Sequence, residues 1–191
     1  MVIGLCGRMG TGKSTALQIF ESFGFDTIDC DDVSREVCQK GSPCLAELCE
    51  YFGSGILEAD GGLNRLQLAK CAFVNKENTD KLNEITHRHI LKSVREFIKN
   101  SKNNCVIAAP LLFESGLDVD CDITLALTAP IDILFGRMNG RFEKEDFLSR
   151  INKQYSDEFL QTKCDFVIEN DTTPEALKEK IILFIQCVSK K

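Results

Sequence analysis

The chain has 191 residues, 43% of them hydrophobic and 27% charged, and carries a formal net charge of −6. That length suits one folding unit with a sizeable core and an inserted subdomain, and excludes two full-sized domains. No window approaches the ~18 uninterrupted apolar residues of a membrane span, and the acidic balance argues against a general affinity for polyanionic nucleic acid.

Val2 to Cys6, "VIGLC", reads as a short buried strand that runs directly into "GRMGTGKST", Gly7 to Thr15. With no basic segment ahead of that strand to act as a leader, the chain is expected in the cytoplasm. Gly7, Gly12, Lys13 and Ser14 fit the pattern G-x-x-x-x-G-K-[ST]. Turns without side chains let backbone N–H groups converge on phosphate oxygens where a helix begins, and the peptide dipoles there favour negative charge. Lys13 is placed to reach the β and γ phosphates and the Ser14 hydroxyl to ligate Mg²⁺. Gly10, Thr11 and Thr15 complete the candidate ATP-binding loop. Ala16 to Phe23 follows with Leu17, Ile19, Phe20 and Phe23 at mostly helical spacing, which gives the strand, loop and helix that this chemistry requires.

A weaker strand is predicted at Thr27 and Ile28, and after it comes "IDCDD". Ligands of parallel α/β sheets bind outside the carboxyl ends of strands, so Asp29, Asp31 and Asp32 stand at the mouth of such a crevice. Asp32 is expected to cap the next helix, leaving Asp31 as the better candidate for chemistry. Helices are predicted near 33–40, 44–52, 64–74 and 77–100, separated by "GSP" and "ADGG". The last carries Leu82, Ile85, Leu91, Val94, Phe97 and Ile98 largely along one face. With no convincing strand between Asp32 and Asn104, this block reads as a helical insert over about residues 32–103.

Cys105 to Ala109 reads as the third strand, stopped by Pro110 in "APLLFE", with Glu114 within one turn. Ile123 to Leu127 is the fourth, and Pro130 then opens a helix. A charged segment runs from Arg137 to Lys163, in which Arg137 and Arg141 are four residues apart and share a face if that helix continues. Phe166 to Ile168 is the last strand. Asn170, just past it, either neighbours the adenine or forms a turn. Alternating β and α elements predict a parallel sheet with right-handed crossovers. The ten cysteines include no C-x-x-C pair and read as structural thiols, several of them in apolar runs.

Phosphoryl transfer needs charge neutralisation around the moving group, Mg²⁺, in-line positioning and, for an alcohol acceptor, a group that takes its proton. Lys13 with the loop, Ser14, Arg137 with Arg141, and an aspartate after the second strand are candidates for these needs.

Taken together, "IGLCGRMGTGKST", "IDCDDVSRE", "GSPCLAEL", "FGSGILEADGGLNRLQLAK", "PLLFESGL" and "CDFVIEND" resemble the dephospho-CoA kinase family over nearly the whole chain. The resemblance implies an α/β fold: a three-layer, five-stranded parallel sheet of the P-loop nucleoside-monophosphate-kinase type, with an inserted helical CoA-binding lobe and a lid over about residues 137–163. It implies phosphorylation of the ribose 3′-hydroxyl of dephospho-CoA by ATP with Mg²⁺, the last step of coenzyme A synthesis. By the same resemblance Asp31 is the catalytic base, Arg35, His87 and Glu114 serve the acceptor, and Arg137 and Arg141 belong to the lid. ATP and dephospho-CoA are the expected partners, with no nucleic acid or membrane, for a monomer or weak homo-oligomer.

Three positions depart from the family pattern. Arg8 stands where a second glycine is usual, free to lean on a phosphate or point to solvent. Arg88 follows His87 in place of proline, so the local helix is expected to continue. Ala108 and Ala109 replace an aspartate, which leaves Mg²⁺ to Ser14, phosphates, water and Asp29 or Asp31.

Rival readings are a GTP-dependent switch, a kinase of another nucleoside or small metabolite, and an ATP-binding protein without catalysis. The guanine-reading pattern N-K-x-D fails at "NKEN" (Asn75 to Asn78) and at "NKQY" from Asn152. Lys13 and Asp31, whose loss would mark a non-catalytic protein, are both present.

Overall fold

The computed structural model describes residues 1–138 and 140–189; Asn139, inside the expected 137–163 lid, and Lys190 and Lys191 lie outside the described residues. In chain order the elements are β1 (Val2–Gly7), α1 (Lys13–Ser22), β2 (Asp26–Asp29), α2 (Cys30–Val37), α3 (Pro43–Phe52), α4 (Arg65–Ala72) and α5 (Lys76–Asn100). They continue with β3 (Cys105–Ala108), β4 (Ile123–Thr128), α6 (Ile131–Arg137), α7 (Lys144–Ile151), α8 (Asp157–Lys163), β5 (Phe166–Glu169) and α9 (Pro174–Val188). Two compact units result, one built from Met1–Asp29 and the chain from Asn100 onward, the other from Cys30–Lys99.

In the first unit all five strands are parallel, in the order β2-β3-β1-β4-β5. Central β1 pairs Leu5 with Ala108 on one side and Gly7 with Leu127 on the other. Its near-continuous apolar sequence follows from burial on both faces. Ile3 and Leu5 pack with Leu17 and Phe20 of α1 and with Ile181 and Phe184 of α9. Phe20 meets Phe25 and Phe184 edge-on, with ring centroids 5.3 and 6.2 Å away. On the opposite face, a Cβ at Gly4 would lie 2.8 Å from Cys121 Sγ and 2.9 Å from a Leu112 methyl, so the segment after β3 closes directly over the strand. The Cys6 and Cys164 sulfurs lie 3.5 Å apart on that side.

The second unit holds α2 to α5 around Cys38, Cys44, Leu48, Ile56, Leu68, Ala72 and Ile85. The breaks predicted at "GSP" and "ADGG" lead into helix caps. Ser42 accepts from the Leu45 N–H at 3.1 Å with Pro43 opening α3, and Asn64 accepts from the Gln67 N–H at 2.9 Å.

Two expectations are corrected. Helix α2 starts at Cys30, before the predicted 33, so Asp32 lies inside its first turn beside Asp31 and is no cap. There both carboxylates face the positive end of the helix dipole. Helix α6 ends at Arg137, and a turn in which the Arg141 N–H donates to the Met138 carbonyl at 2.9 Å follows, so Arg137 and Arg141 do not share a helical face. The charged segment forms two further helices, α7 and α8. Among the described residues no helix is long and apolar enough to cross a membrane.

Candidate active site

The loop between β1 and α1 turns on glycine. Gly7, Gly10 and Gly12 have φ of +149°, +81° and +94°, a region that L side chains rarely adopt. Space forbids a side chain as well, since a Cβ at Gly7 would lie 2.4 Å from the Leu127 carbonyl oxygen. Gly12 caps α1 in the left-handed conformation and supplies no side-chain acceptor, and the first turn of α1 has no acidic residue. The first N–H groups of α1 are therefore not consumed by a side-chain cap, the arrangement that suits a helix N-terminus to an anion. Thr11, 1% exposed, braces the turn by donating its hydroxyl to the Arg8 carbonyl at 2.8 Å. Lys13 folds back over the loop, its Nζ donating to the Gly7 and Arg8 carbonyls at 2.8 and 3.1 Å. Ser14 and Thr15 follow in the first turn of α1, with Ser14 exposed.

Residues far along the chain hold this loop. Asn170 is buried; its Nδ2 donates to the Thr11 carbonyl at 2.8 Å and its N–H to the Thr128 carbonyl at 2.7 Å. Arg137 donates to the Gly10 carbonyl at 3.2 Å and to Asn170 Oδ1 at 3.3 Å. Asn170 is thus engaged with the loop backbone. Arg8 neither leans out toward an anion nor points to solvent: it is 9% exposed and its Nε donates to the Tyr155 carbonyl at 2.7 Å. The Met9 N–H donates to Gln154 Oε1 at 2.9 Å. No local pattern in "NKQY" marks Gln154 and Tyr155 for this contact, because their loop partners lie 145 and 147 residues away along the chain.

Glu114, after β3, is exposed, and partial burial raises its carboxyl above the usual carboxylate range. Arg141 is exposed, and Ala108 and Ala109 are buried.

In the helical unit Asp31 lies in the first turn of α2, and Arg35 in its last turn pairs with Asp32. Helix α5 runs unbroken through His87 and Arg88, as the absence of proline implies. Arg88 and His89 both engage Glu47 of α3, His89 at 3.1 Å. His87 lines an open groove of about 630 Å³ with Glu84, Arg88, Leu91, Lys92 and Arg95. Burial holds its imidazole below the ordinary histidine value. Among the described residues no three His, Cys, Asp or Glu side chains gather into a metal cage. The single exposed hydroxyl of Ser14 fits Mg²⁺, which keeps waters and nucleotide oxygens as most of its ligands.

A five-stranded parallel sheet flanked by helices, with a glycine loop and lysine between its central strand and α1, defines a P-loop nucleotide-binding protein. The sequence matches the dephospho-CoA kinase family over residues 1–175, and the chain belongs to that family. The dephospho-CoA kinase of Listeria innocua is 36% identical over 190 residues, covering 96% of this chain and 95% of the relative. Among solved structures, TT1252 from Thermus thermophilus superposes with a TM-score of 0.81 at 25% identity, covering 97% of this chain and 96% of that one. A dephospho-CoA kinase from Campylobacter jejuni shares the fold with a TM-score of 0.66 at 21% identity, over 100% of this chain and 98% of that one.

Proposed function

We propose that the protein transfers the γ-phosphoryl group of ATP to the ribose 3′-hydroxyl of dephospho-CoA, giving coenzyme A and ADP. The observation that carries this reading is the phosphate loop, with its left-handed glycines and over-folded Lys13, in a chain of the dephospho-CoA kinase family. The first N–H groups of α1 and the Lys13 ammonium bind the β and γ phosphates, where they stabilise charge that shifts during transfer. Ser14 would hold Mg²⁺, which when bound neutralises phosphate charge as a Lewis acid. Asp31 accepts the 3′-hydroxyl proton as the oxygen bonds to the γ-phosphorus and the bond to the ADP oxygen breaks. Arg137 acts from its position on the loop backbone and Arg141 from the turn beyond α6, both over the developing charge. Arg35, His87 and Glu114 bind the acceptor. The segment 32–103 serves as the substrate-binding insert and 137–163 as the lid, in a cytoplasmic enzyme that is a monomer or weak homo-oligomer.

Purified protein is given MgATP with dephospho-CoA, AMP, adenosine or shikimate in turn, and ADP release is followed. ADP formed with dephospho-CoA alone, with the 3′-phosphate confirmed by mass spectrometry, is the expected result. Turnover of another acceptor but not dephospho-CoA overturns the reading.

A further inference from the structure

A cation at the second position of a phosphate loop is drawn by charge toward the phosphates, yet Arg8 is turned away from that task. Its buried guanidinium donates to the Tyr155 carbonyl at 2.7 Å and lies 3.7 Å from Asp157 Oδ1. That carboxylate oxygen is enclosed and has no hydrogen bond among the described residues, so Arg8 is the cation that balances it. One residue on, the Met9 N–H donates to Gln154 Oε1. The same connector between α7 and α8 grips a second loop. Tyr155 Oη accepts from the N–H groups of both Phe113 and Glu114, at 3.2 and 3.0 Å, filling both lone pairs of the phenol oxygen. The Tyr155 ring stacks on Phe159 at 4.6 Å, and Phe113 packs edge-on against it at 5.7 Å, so the hydroxyl has little freedom to wander.

We propose that Gln154 and Tyr155, anchored by Arg8, are positioning residues that fix the phosphate loop and the Phe113–Glu114 loop in one geometry for transfer. The proposal rests on the assignment above of the first loop to ATP and of Glu114 to the acceptor. Arg8 and Gln154 steady the ATP side, and the Tyr155 hydroxyl steadies the acceptor side.

The test uses Tyr155→Phe, which keeps the ring and removes the acceptor oxygen, with Arg8→Leu and Gln154→Met on the other side. Tyr155→Phe removes the acceptor of two hydrogen bonds and is expected to raise KM for dephospho-CoA about tenfold, at the lower end of what two such losses commonly produce, while KM for ATP stays within about twofold. Gln154→Met and Arg8→Leu are expected to do the reverse, and to weaken binding of a fluorescent ATP analogue by a similar factor. A merely structural role would lower thermal stability and active fraction without this split. Should Arg8→Leu fail to fold, Gln154→Met carries the ATP arm. Values of KM for both substrates within twofold of wild type in folded variants overturn the proposal. If the wild-type protein does not phosphorylate dephospho-CoA, the functional reading fails by itself; the analogue titration then decides, and unchanged affinity in the ATP-side variants overturns the positioning role.

Discussion

Asn170, the residue that follows β5, donates its side-chain amide to the Thr11 carbonyl at 2.8 Å and so supports the phosphate loop from behind. Replacing it with Ala leaves that carbonyl without this donor and Arg137 without its Oδ1 acceptor. Asn170→Ala is expected to lower stability by about 1–3 kcal/mol, the range for a buried polar group that loses its partner, and to raise KM for ATP. Denaturant unfolding beside initial rates checks both. A KM effect with unchanged stability would point to adenine contact instead.

Lys13→Ala removes the ammonium that overlies the Gly7 and Arg8 carbonyls. Its expected consequence is a fall in kcat of about 10²–10³, comparable to losing one preorganised donor at a developing oxyanion. Rates at saturating ATP and acceptor measure it.

For Asp31→Asn, kcat is expected to drop about 10²- to 10⁴-fold, the usual span of general-base catalysis. An unchanged kcat at saturating substrates would remove Asp31 from the proton-transfer role.

His87 predicts a pH dependence. Its folded-state value lies below the ordinary 6.5 because burial disfavours the charged ring. The unfolded chain therefore binds the proton more readily. The stability linked to the neutral ring is fully present above pH 6.5 and is lost as pH falls from there through the depressed folded value. Thermal melts between pH 7.5 and 5.5 should decline less steeply for His87→Gln than for wild type; parallel curves would contradict this.

What the sequence made legible was local. The loop announces itself because Gly7, Gly12, Lys13 and Ser14 act through neighbouring backbone, and β1 reads clearly because burial on both faces leaves an uninterrupted apolar run. The start of α2 is not legible in the sequence because aspartate serves equally as a cap and as a first-turn residue, and only the backbone at Cys30 distinguishes the two. The common face expected of Arg137 and Arg141 assumed a continuous helix, which the turn after Arg137 interrupts. Arg8 and Asn170 were opaque for another reason. Their partners lie 147 and 159 residues away along the chain, where no spacing rule reaches.

The cysteines give the chain a built-in order of accessibility. Cys6, one residue ahead of the phosphate loop, is wholly enclosed against Cys164, whereas Cys187 in α9 is the exposed member of the set. A maleimide dye added below one equivalent should therefore settle on α9, which gives single-molecule work an attachment point remote in sequence from the loop without first stripping the protein of its native thiols.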